Sequence, residues 1–181
     1  MKNNIFLFIV FICVSVLSYY MYKQINKTAA SSRISCQKEV ATFERIYKPN
    51  DIKFVQAQIE NGSIKVYSSV QKAHYSRSKL FDYVKLSDVD KIVEDTLKKY
   101  HTSSEKKEEN LEINYYIYEN DVNDPGKKTA RSKLYAGYVV FQFYNQKQEL
   151  VYQVQIDFMN KQGEDIPKRI ECAIKSFMTL K

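Results

Sequence analysis

Hydrophobic and polar positions along the chain follow three patterns. The first is a nearly unbroken apolar run, IFLFIVFICVSVL from Ile5 to Leu17, continuing through Ser18 into Tyr19, Tyr20, Met21 and Tyr22. The second is alternation with a period of two, the mark of a half-buried strand. It covers Ile64, Val66, Ser68 and Val70, then Leu111, Ile113, Tyr115 and Ile117, and last Leu150, Tyr152, Val154, Ile156 and Phe158; Leu134 to Tyr144 reads as a further long strand before that last one. The third is helical spacing. Cys36, Val40, Phe43 and Tyr47 share a face after Ser35. Val89, Ile92, Val93, Thr96, Leu97 and Tyr100 do so after Ser87, and Ile170, Ala173, Ile174 and Phe177 after Asp165 and Pro167. Ser35 and Ser87 are placed to cap their helices. Asn61-Gly62 separates DIKFVQAQIE from SIKVYSSV. Because Asn-Gly accepts the positive φ of a tight hairpin turn, Asp51 to Glu60 reads as a further strand paired with the next.

The expected order is membrane segment, α, β, β, α, β, β, β, α. This predicts an α+β fold: an N-terminal transmembrane helix, then one small domain with a five-stranded, mostly antiparallel sheet and about three helices packed on one face. The expected boundaries are a short tail at 1–4, an anchor or signal peptide at 5–22, a linker at 23–34 and an extracytoplasmic domain at 35–181. No internal repeat is visible.

Placement rests on the first segment. Eleven of the thirteen residues from Ile5 to Leu17 are Ile, Leu, Phe or Val, which favours bilayer insertion by about 3 to 7 kcal/mol. The terminal tyrosines match an interfacial aromatic belt. Small residues for a signal-peptide cleavage site are poorly placed, so an uncleaved anchor is expected, with a cleaved signal as the alternative. Lys23, Lys27, Arg33 and Lys38 just beyond the span would hold the domain in the cytoplasm on a strict positive-inside count. A very short tail before an apolar run has the form of an export signal. The expected localisation is therefore a single-pass membrane protein with its main domain on the periplasmic or cell-surface side.

Net charge is +7, with Lys2 the only charged side chain before the apolar run. The lysines are scattered among glutamates, as in EKKEE at Glu105 to Glu109, so no nucleic-acid partner is expected. Beyond Cys13, only Cys36 and Cys172 remain, near opposite ends of the domain. On a helical wheel Cys172 falls about 160° from the Ile170–Ala173–Ile174–Phe177 stripe. A cysteine there needs something over it, and the first segment of the domain, carrying Cys36, would supply it. One disulfide, Cys36 to Cys172, is the reading for an exported domain. Two unpaired thiols are the alternative in a reducing compartment.

Candidate chemistry is sparse. His74 and His101 lie in polar stretches without an acid–nucleophile signature. Gly137 lacks the partners of a phosphate loop, and two cysteines and a stray histidine do not make a metal site. No catalytic residue, metal or cofactor is expected. The chain has 15 tyrosines, 10 phenylalanines and no tryptophan, and many of the tyrosines fall on expected strands. If helices cover one sheet face, the other carries Tyr116, Tyr118 and Tyr135, an arrangement suited to binding protein. The expected function is a membrane-anchored extracytoplasmic protein-binding or accessory module without catalytic activity, either inhibitor- or immunity-type or a subunit of an envelope complex. The alternatives are a small-ligand or lipid carrier using the space beneath the helices, and a hydrolase whose site is assembled from distant residues.

AGYVVFQF, a turn, VYQVQIDF and then PKRIECAIKSF, spanning Ala136 to Phe177, resemble the strand–strand–helix of the TonB C-terminal domain, a family that also carries an N-terminal anchor. The chain departs from that pattern in three ways: no Pro-rich linker, Gln148-Glu149 in place of the turn glycine, and no strand's length after the helix. The resemblance implies an antiparallel hairpin covered by a helix, and no functional residue is carried over.

Overall fold

The computed structural model describes residues 14–18, 33–102 and 111–181. Residues 14–18 are helical and belong to a separate N-terminal unit. The remainder of the expected membrane segment at 5–22 and most of the linker at 23–34 lie outside the described residues. Among the described residues no helix is long and apolar enough to cross a membrane.

The domain is α+β. Strands β1 (Thr42–Ile46), β2 (Ile64–Gln71), β3 (Leu111–Glu119), β4 (Gly137–Tyr144) and β5 (Leu150–Phe158) form one mixed sheet in the order β1-β5-β4-β3-β2. Helices α1 (Ile52–Glu60), α2 (Leu86–Lys98) and α3 (Ile166–Met178) bury their apolar stripes in a single core with the inward residues of the strands. Ile113, Ile117, Phe141, Phe143, Tyr152 and Val154 meet Val93, Leu97, Ile170, Ile174 and Phe177 there. Phe143 stacks on Phe177 with ring centroids 4.1 Å apart.

Two expected elements exchange type. Residues 36–47 are not a helix: a 3-10 turn at Ser35–Lys38 leads into β1, which pairs antiparallel with β5 from Thr42↔Ile156 to Ile46↔Tyr152. Conversely, DIKFVQAQIE is not a strand but contains α1. Its buried residues Ile52, Val55, Gln56 and Ile59 hold the helical spacing, which outweighs the weaker alternation of the same stretch. Asn61-Gly62 therefore ends a helix instead of turning a hairpin. Asn61 has φ −84° and only Gly62 is positive, at 70°. Gly62 N–H donates to Ile59 O and Ser63 N–H to Gln58 O, both at 3.0 Å, the paired bonds of a Schellman motif. Gly62→Ala forces a Cβ into the left-handed region and is expected to lower stability by about 1 kcal/mol in urea unfolding.

The sheet departs from the expected topology at one pair. β2 and β3 are parallel, in register from Ile64↔Leu111 to Gln71↔Tyr118, while the other three pairings are antiparallel. A strand, a helix and a strand in succession return the chain in the same direction, and α2 supplies that crossover. Neither expected serine cap is present. Ser87 lies inside α2, whose N-cap is Lys85, and Ser35 begins the 3-10 turn. The β4–β5 turn manages without glycine. Gln148 takes φ 59°, and Asn145 Oδ1 accepts from the N–H groups of Lys147 and Glu149, each at 3.0 Å.

Cys36 and Cys172 are bonded, with their Cα atoms 5.8 Å apart. Residues 33–38 lie along the side of α3 that turns away from the apolar stripe and bury it, leaving Cys172 only 2% exposed. Gln37 Nε2 donates to Ser176 Oγ at 2.9 Å beside the sulfurs, and Arg33 Nη1 donates to Thr179 Oγ1 at 2.9 Å.

Candidate protein-binding face

Alternation along each strand sends one set of side chains into the core and the other to the opposite face of the sheet. Among the described residues no helix covers that second face. Cross-strand register arranges it in rows. One row runs Gln71, Tyr118, Tyr138, Asp157 from β2 to β5. The next runs Ser69, Tyr116, Val140, Gln155 and Phe43, and the third Tyr67, Asn114, Gln142, Gln153 and Arg45.

The tyrosines form a connected cluster. Tyr118 and Tyr138 stack at 4.4 Å, Tyr116 meets Tyr138 edge-on at 6.4 Å, and Tyr135, just before β4, lies 6.3 Å from Tyr138. Lys127 Nζ sits 5.1 Å from the Tyr118 ring centre and 5.7 Å from that of Tyr135. It donates to the Tyr118 hydroxyl at 3.0 Å and to Asn120 Oδ1. Burial raises the pKa of Tyr116, and burial followed by the nearby Asp157 charge raises that of Tyr135. Both hydroxyls therefore stay protonated as donors through the physiological range. In the third row Gln142 Nε2 donates to Gln153 Oε1 at 3.0 Å. Among the described residues, Asn114 Oδ1 is buried there without a hydrogen-bond partner. It borders a shallow groove of about 340 Å³ lined also by Tyr67, Ser69, Glu112 and Tyr116.

Tyr116 and Tyr118 thus project from the uncovered face, and Tyr135 flanks it. Strand alternation identified the first two. Tyr67 and Phe43 belong to the same face but escaped sequence reasoning, Phe43 because its segment read as a helix. Tyr115 and Tyr152 point the other way and are core residues, each 2% exposed or less.

Asp157 is the unusual charge of this face. It is 8% exposed, and the one hydrogen bond of its carboxylate among the described residues is a long one, 3.4 Å from Gln155 Nε2 to Oδ1. Burial pushes its carboxyl up to about 6, against the smaller lowering effect of Gln155. A carboxyl raised above its unfolded value of 3.8 holds its proton more tightly in the native domain. Asp157 therefore contributes stability below about pH 4, and that contribution disappears as pH rises through about 6. The loss is on the order of 2 to 3 kcal/mol. Asp157→Asn is expected to flatten this slope and raise stability at pH 7, measured by urea unfolding at a series of pH values.

At the end of the sheet beside Tyr135, two other carboxylates behave in the opposite way. Glu119 accepts from the N–H groups of Ala73, Lys79 and Leu80, at 3.2, 2.7 and 2.9 Å. Asp121 accepts from the N–H groups of His74, Tyr75 and Ser76 and from the Ser76 hydroxyl. Burial pushes both acids up, but these bonds outweigh it and hold both below the usual carboxylate range. They fasten the 72–80 segment to the sheet. His74 is held there by its main chain, and His101 packs its ring beside Gly62. The fastened segment walls a cleft of about 540 Å³ whose lining includes Tyr75, Arg77, Lys79, Lys133, Leu134 and Met159. No cluster of metal-ligating side chains occurs among the described residues. No protein-family model, no curated protein and no solved structure matches this chain.

Proposed function

We infer that this protein is a binding module without catalytic activity, tethered to the outer side of a membrane by the apolar segment at 5–22, and that it docks a protein partner on the uncovered sheet face. The observation that carries the reading is the composition of that face. Tyrosine, phenylalanine and amide side chains stand in cross-strand rows with few charges, a combination typical of the core of a protein interface. Tyrosine brings large contact area and a hydroxyl donor at low conformational-entropy cost. The role is that of an accessory subunit of an envelope complex or of an inhibitor- or immunity-type protein. Exported placement rests on the apolar segment together with the cysteine bond, which persists in an oxidising compartment.

A photo-crosslinking residue placed at Ser69 or Gln142 on the face, and at Glu94 or Lys175 on exposed helix surface as controls, tests the reading in intact cells. A discrete adduct is expected from the face positions alone, and it should weaken at least about tenfold in Tyr116→Ala/Tyr118→Ala. Absence of a face-specific adduct overturns the reading. A carboxyl-terminal reporter that is active only in the cytosol would overturn the placement.

The cleft beside Tyr135 supports a second reading, a carrier of a small anionic amphiphile. Its volume falls in the range of ligand sites, and apolar Leu134 and Met159 share its lining with Arg77, Lys79 and Lys133. Native mass spectrometry showing no co-purified small molecule and no uptake of a fatty acid would eliminate it.

A further inference from the structure

We propose that Asp157 and the tyrosines beside it form a receptor for an arginine side chain of the docked partner. The inference rests on the docking reading above and specifies the chemistry at the centre of that interface.

Asp157 lies directly across from Tyr138, which lies directly across from Tyr118. Tyr135 lies 6.3 Å from Tyr138 and is close enough for the Asp157 charge to raise its pKa, after burial. The carboxylate therefore has aromatic faces along one flank and Gln155 along its own strand. On the β1 side its neighbour is main chain, since Asp157 N–H donates to Ala41 O at 3.0 Å. Among the described residues Asp157 makes no ion pair. The cation over the tyrosine rings, Lys127, is held by the Tyr118 hydroxyl and Asn120 Oδ1 and does not pair with it.

A carboxylate so poorly solvated and bonded is costly unless something pairs with it. The ligand that satisfies both features is a guanidinium. Its planar face stacks on tyrosine while its N–H fork donates to both carboxylate oxygens. The groove around Asn114 adds, two rows away, an acceptor with no partner among the described residues. Because the carboxyl titrates near pH 6, protonation would release the guanidinium. The titratable groups around it are Tyr118, Tyr135 and Tyr138, with Lys127 as the nearby cation. Burial holds Tyr135 and Tyr138 protonated across this range.

The test uses the isotopically labelled full chain in detergent micelles and two probes, acetyl-Gly-Arg-Gly-amide and the same peptide with neutral, isosteric citrulline. At pH 7 the arginine peptide should shift the ring resonances of Tyr118, Tyr135 and Tyr138 and the Asp157 carboxyl carbon, and the citrulline peptide should not. Affinity should fall at least about tenfold in Asp157→Asn and again in wild type below pH 6, while Lys175→Ala on the exposed helix surface leaves it unchanged. Equal shifts from the two peptides, retained affinity in Asp157→Asn, or shifts confined to other residues overturn the proposal. If the crosslinked adduct of the face forms equally in wild type and Asp157→Asn, the arginine receptor fails while the docking face stands. If the arginine peptide binds as expected but no face-specific adduct forms in cells, the docking reading fails and the cation site is real.

Discussion

Phe177→Ala is expected to lower the unfolding free energy of the domain by about 3 to 5 kcal/mol. Phe177 is fully buried, stacks on Phe143 at 4.1 Å and lies 5.3 Å from the ring centre of Tyr152. It joins α3 to β4 and β5 at once, so its removal leaves a cavity bordered by rigid aromatic rings that cannot collapse into it. The carbonyl of Phe177 also accepts from Gln56 Nε2 at 2.8 Å, and Leu180 O accepts from the same amide at 3.1 Å. Loosening the end of α3 therefore loosens α1 as well. Urea unfolding monitored by far-UV circular dichroism should show a lower midpoint with an unchanged slope. A loss under about 1 kcal/mol would mean that the end of α3 is not packed as described.

Breaking the Cys36–Cys172 bond, by reductant or by the double serine variant, is expected to cost about 2 to 5 kcal/mol. The bond closes a loop with a sequence separation of 136, and the loop-entropy argument grows with that length. The local consequence is specific. Residues 33–38 cover the outer side of α3 through the sulfurs, the Gln37–Ser176 hydrogen bond and Arg33. Without the bond, that segment retains its polar contacts but loses its covalent attachment. Hydrogen exchange should accelerate first in residues 36–42 and along α3, ahead of β3 and β4. Uniform acceleration across the sheet would show instead that the bond acts only through the unfolded chain.

How far the residues could be read without coordinates depends on whether local pattern and tertiary partner agree. Strand β3 alternates strictly and β5 nearly so, and β4 and β5 are long apolar segments joined by a short turn, so their type was legible. This placed Tyr116 and Tyr118 opposite Tyr115 and Ile117. The stripe on α3 was legible too. From it followed the anomaly of Cys172, which needed a cover on the wrong side of the helix, and the cover is the segment that carries Cys36. Ala136 to Phe177 does fold as strand, strand and helix, the order that resembles TonB, yet local order of this kind is shared by many sheets and identifies none.

Residues 36–60 were illegible for a definite reason. Two short segments each satisfied both periods: Val40, Phe43 and Tyr47 fit a helix while Phe43, Arg45 and Tyr47 fit a strand. Asn61-Gly62 fits either a hairpin or a helix end. β5 decides the first case by offering an open edge to β1. The core decides the second, because Ile52, Val55 and Ile59 can all be buried only along one side of a helix.

By itself, then, the order of residues determined the long apolar run at 5–22, the alternation of β2, β3 and β5, and the apolar stripes of α2 and α3, because each is fixed by spacing along the chain. Tertiary structure alone decided that β1 lies at one edge and β2 at the other, that β2 runs parallel to β3, and that Asp157 sits beside Tyr138. Those relations join residues far apart in sequence through sheet hydrogen bonds and shared burial, and no local spacing encodes which strand will be the neighbour.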